Sequence, residues 1–76
     1  MRFILRPVVP LSGTSPQERA ARAWRAAADL VWARWEVLTE ATPARRPAAF
    51  AAYIAALEAE DSAATNLAEL ELGRVA

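Results

Sequence analysis

The chain has 76 residues, is 55% hydrophobic and formally neutral, and carries nine basic residues, all Arg, against nine acids. It holds no Cys and no His, which excludes a disulfide framework and a thiolate metal site and removes the commonest general base and imidazole ligand. A chain this short buries a small core. Without a staple or a metal, a second subunit or a protein partner is the remaining way to enlarge it, so a homodimer or partner-bound protein is expected.

Twenty Ala and no Lys beside nine Arg are the composition of GC-rich coding, as in a high-GC bacterium or its phage. The charge is unevenly spread: residues 1–46 carry eight Arg against four acids, and residues 47–76 carry Arg74 against five. That asymmetry suits two halves that fold against each other, or a basic N-terminal face for an anionic partner. No secretory signal is expected, because Arg6, Pro7 and Pro10 interrupt the only early apolar run. Nothing approaches a membrane span, and a cytoplasmic protein is expected.

Residues 1–13 are expected to form the first unit, an N-terminal extended arm. Within it, residues 1–6 suit a short strand with Phe3 and Leu5 on one side and Arg2, Ile4 and Arg6 on the other. Pro7 and Pro10 stop a longer strand because Pro supplies no ladder donor. Such a strand must pair with a copy of itself or a partner, or lie across the helices as an apolar strap.

Residues 14–76 read as a helical hairpin, with helices over about 16–40 and 47–72. Ser15-Pro16-Gln17-Glu18 combines an N-cap hydroxyl, a Pro at the first helical position and the Glu of a capping box. Ala20, Trp24, Ala27, Ala28, Val31, Trp35 and Leu38 then share one stripe at helical spacing. Leu30 and Val37 widen it on one flank and Trp32 on the other, an arc that one neighbouring helix cannot cover. Arg34 lies inside this arc. It is expected to pack its stem and to make a structural ion pair with Glu58, or with an acid of a second subunit.

Thr42-Pro43 repeats the start signal, but Pro47 would fall in a helix interior if the helix began at Pro43. A loose turn up to Arg46 and a regular helix from about Pro47 resolve the conflict. On that helix, Phe50, Tyr53, Ile54, Leu57, Ala64, Leu67 and Ala68 share a face, Glu60 and Asp61 interrupt it, and a kink could fall there. Gly73 is placed just past the helix end. A short connection makes the helices antiparallel, with Leu38 near Phe50, Trp35 near Tyr53, Val31 near Leu57 and Trp24 near Ala64. The predicted fold is thus an all-α antiparallel two-helix hairpin with an extended arm, completed into a bundle by dimerisation.

No catalytic constellation can be assembled. The Ser residues sit in caps and turns with no base to activate them, and no Gly loop could cradle a phosphate. Glu58 and Asp61 are three apart, yet the Glu-x-x-His motif of di-metal bundles is missing, and an acidic solvated face is the simpler reading. No enzyme, cofactor or metal is expected.

The expected function is protein–protein binding by a small regulatory or adaptor protein. Phe3, Leu5, Leu30, Trp32 and Val37 are the contact candidates. The alternative is nucleic-acid binding. Strand followed by two helices, with Arg2 and Arg6 on one strand face, resembles the ribbon–helix–helix DNA-binding proteins, whose paired N-terminal strands enter the major groove. That resemblance implies groove contacts by Arg2 and Arg6, and Arg45 and Arg46 would reach phosphates at the mouth of the second helix. The chain departs from the family in helices about twice as long, in Pro7 directly after the strand, and in an acidic C-terminal half.

Overall fold

The computed structural model describes the backbone of residues 15–75 and the side chains of residues 15–73. Two helices account for nearly all of it: α1, Pro16–Glu40, and α2, Arg46–Val75, packed against each other. No strand occurs among the described residues. The expected strand or strap lies outside them.

The start of α1 follows from its first four residues. The Ser15 hydroxyl accepts from the Glu18 backbone N–H at 3.0 Å, and Glu18 Oε1 accepts from the Ser15 N–H at 2.9 Å. Two amides that the helix cannot bond internally are thereby satisfied, while Pro16 occupies a position where no N–H is needed. At the other end, Ala41 turns extended and its N–H bonds to the Leu38 carbonyl. The guanidinium of Arg46 reaches back across the connection and donates to the Ala41 carbonyl at 3.3 Å.

Residues 43–45 form a turn, and the Thr42 carbonyl accepts from both Arg45 and Arg46. Pro47 then falls at the second position of α2, where a missing N–H costs nothing. The expected resolution of the Pro43–Pro47 conflict holds to within a residue. One other expectation is corrected. The helix, unbroken through Glu60 and Asp61, passes through Gly73 to Val75 rather than ending there. Gly73 keeps a negative φ, so the left-handed geometry of a C-terminal cap is absent.

The closest part of the packing seam is built of small residues. Among the described residues, the buried apolar ones are Ala20, Ala49 and Ala56, with larger side chains such as Trp24, Tyr53 and Leu67 half-buried along the same seam. Along α2 the shielded positions include Ala49, Tyr53, Ala56, Glu60, Ala63, Leu67 and Leu70, alternating steps of four and three. On α1 the matching series is Gln17, Ala20, Trp24, Ala27, Val31 and Leu38. This period of about 3.5 residues is that of two helices wound side by side. Alanine lets their backbones approach closely, and Cα atoms of the two helices come within 8 Å.

The register is marked by one aromatic pair. The rings of Trp35 and Tyr53 lie 5.5 Å apart, tilted by 51°, as the antiparallel count from the turn predicts. Counting outward from it, Val31 is level with Leu57 and Ala20 with Ala68.

Two substitutions test this arrangement. Ala56→Leu places a larger side chain in the close seam and is expected to destabilise by about 1–3 kcal/mol, whereas Ala59→Leu, at an exposed site, changes little. Urea unfolding separates them, and equal effects would refute an alanine-spaced seam. At Gly73, a Cβ would meet nothing within 4 Å. Gly73→Ala is therefore expected to gain about 0.5 kcal/mol of helix stability, where a left-handed cap would instead have made it a loss.

Candidate protein-binding surface

The seam leaves several large apolar residues outside. Trp32 is 67% exposed, Phe50 and Val37 each 53%, and Leu30 40%. Trp32 and Val37 are five residues apart, which sets them on opposite flanks of α1. The hairpin consequently has two apolar sides.

One side is aromatic. Val31, Trp32, Trp35 and Tyr53 line a groove of about 200 Å³ between the helices. Phe50 stands one turn before Tyr53 and extends the same side along α2. The second side lies by the turn, where Val37, Glu40, Ala41, Thr42, Arg45, Ala48 and Ala49 line a shallow depression of about 480 Å³. Its floor is mostly methyl groups and backbone, with Glu40 and Arg45 supplying both signs of charge.

Of the predicted contact residues, the structure thus brings Leu30 and Val37 to one flank and Trp32 to the other. Phe3, Leu5, Arg2 and Arg6 lie outside the described residues. Arg45 and Arg46 are exposed beside the turn, and Arg46 is engaged in closing the end of α1.

Two placements differ from expectation. Arg34 and Glu58 are both exposed, so the pair predicted on a buried arc has no buried setting. Phe50, assigned to the helix–helix face, is more than half exposed because α2 turns Ala49 and Ala56 toward α1 instead. A phenyl ring in that seam would hold the backbones too far apart for alanine to fill the gap.

Trp35, Phe50 and Leu72 are the exposed large apolar residues that sequence reasoning missed as surface candidates. For Phe50 the run of Ala around it was the available signal, since it offered α2 a narrower face to bury. Among the described residues, no group of His, Cys, Asp and Glu could hold a metal ion, and no helix is long and apolar enough to cross a membrane.

The Trp35–Tyr53 contact should be measurable. A double-mutant cycle with Trp35→Leu and Tyr53→Leu is expected to return a coupling of about 0.5–1.5 kcal/mol in urea unfolding. A coupling indistinguishable from zero would mean that the rings meet without contributing to stability.

No protein-family model matches this chain, and neither a curated protein nor a solved structure shows detectable similarity to it.

Proposed function

We propose that the chain is a small non-enzymatic protein–protein interaction module of regulatory or adaptor type, binding through the exposed apolar flanks of α1 and the N-terminal arm. One observation carries the reading: among the described residues the buried apolar side chains are all alanine, while Trp32, Phe50, Val37 and Leu30 stand exposed. Single exposed apolar residues are ordinary. A Trp that is two-thirds exposed beside a groove lined by Trp35 and Tyr53 is the composition of an interface anchor. Arg2, Arg6, Arg45 and Arg46 keep the nucleic-acid alternative as a competing outcome, though a neutral chain with few basic residues gives it a weak electrostatic footing.

Affinity capture with the full chain tests the proposal. Trp32→Ala and Val37→Ala are expected to retain helicity, and at least one of them to lose a protein that the wild type retains specifically. Intact capture by both variants would overturn the reading. So would tight duplex-DNA binding that weakens steeply with salt, since that slope reports released phosphate counterions.

A further inference from the structure

We infer that the occupant of the aromatic side is a second copy of this chain, stacked face to face so that two hairpins make a four-helix bundle. The inference rests on the interaction-module reading and names the partner for one of the two flanks.

Area is the first argument. A hairpin whose shorter helix has 25 residues presents a face about 38 Å long and about 20 Å across, roughly 750 Å². A stable association needs about 800 Å² from each partner, so one hairpin face nearly meets the requirement. The segment outside the structure is the rival occupant. Its 14 residues can extend about 46 Å from Ser15 and could reach Trp32. One extended chain about 5 Å wide would cover only about a third of that face. It would also leave Trp32 and Phe50, which lie on different helices, without a common cover.

Charge supplies the second argument. Helical spacing sets Arg25 and Glu36 of α1 and Asp61 of α2 on the aromatic side, while Arg19, five full turns before Val37, falls on the other flank. Suppose two hairpins stack with their turns at the same end. Arg25 then lies near the level of the other copy's Asp61. With turns at opposite ends, Arg25 lies toward the other copy's Glu36. Either way an unlike pair meets at the edge, a self-complementarity that a two-fold interface requires.

Sedimentation equilibrium of the full chain tests this. The wild type is expected to be a dimer at micromolar concentration. Trp32→Glu is expected to weaken association by about 30-fold or more, as loss of a central aromatic anchor does. Ala33→Glu, the same charge one residue away on the exposed outer side, is expected to remain dimeric. Should Trp32→Glu also lose helicity, the wild type's melting temperature gives the same answer, because only an oligomer melts higher at higher concentration. A monomeric wild type overturns the second copy. If Phe3→Asp then lowers its melting temperature, the arm is the cover. If that monomer still captures another protein through Trp32, the interaction reading survives without the dimer, and if it captures nothing, both fall. Equal dissociation by Trp32→Glu and Ala33→Glu also overturns the proposal.

Discussion

The close alanine seam is the constraint on which the rest of this molecule depends. With Ala20, Ala49 and Ala56 as its buried apolar residues, the hairpin gains backbone proximity and extensive dispersion contact. Larger side chains such as Trp24, Tyr53 and Leu67 are only half-buried, so they yield part of their transfer from water. A methyl group buries a small fraction of what an indole buries, so the hydrophobic term that usually dominates folding is spread thinly here. The capping box, the Arg46 bond to Ala41 and the Trp35–Tyr53 contact matter more in such a structure than they would in one with a thick core.

The seam also explains why the molecule is apolar on its outside. Once alanine fills the space between the helices, Trp32, Phe50, Val37 and Leu30 have nowhere inward to go. An architecture that wanted these side chains for its own core would have set the helices farther apart and turned Phe50 inward. Here the large residues flank the seam, where a neighbour can use them. The link from sequence to partner thus runs through backbone spacing rather than through a motif.

Local signals were the most legible part of the fold. The capping box and the two Pro residues at helix starts have their effect within four residues, and each fixed a boundary. The antiparallel register was legible as well, because a short connection and a count from the turn bring Trp35 to Tyr53. Rotation of each helix about its own axis was not. In α2, Ala occupies so many positions that two faces of similar polarity, one through Phe50 and Ile54 and one through Ala49 and Ala56, compete for the seam. Periodicity weighs side-chain size in favour of Phe50, whereas close packing favours alanine. The same rotational uncertainty placed Arg34 on a buried arc. Gly73 misled for a different reason: glycine permits a left-handed cap without requiring one, and the helix continues because nothing there opposes it.

The charge layout is unusual for the individual helices and makes sense only between them. A helix start carries partial positive charge and its end partial negative charge, so acids are favoured first and bases last. Glu18 in the first turn of α1 and Arg74 in the last turn of α2 follow that order, but much of the remaining charge does the reverse. No acid stands in the first turn of α2 and no base in the last turn of α1, while Arg19, Arg22 and Arg25 crowd the early part of α1. A base near the first turn, such as Arg19, is unfavourable to an isolated helix, and the effect fades beyond that turn. Antiparallel pairing reverses the sign, since the basic start of one helix then lies beside the acidic end of its neighbour, within the hairpin and at any face where two hairpins meet. Contacts between exposed charges add little stability individually, but they penalise parallel or slipped alternatives. The Trp35–Tyr53 contact marks one alignment near the turn, and where the seam is alanine, charge order along the helices adds a second means of discriminating one alignment from another.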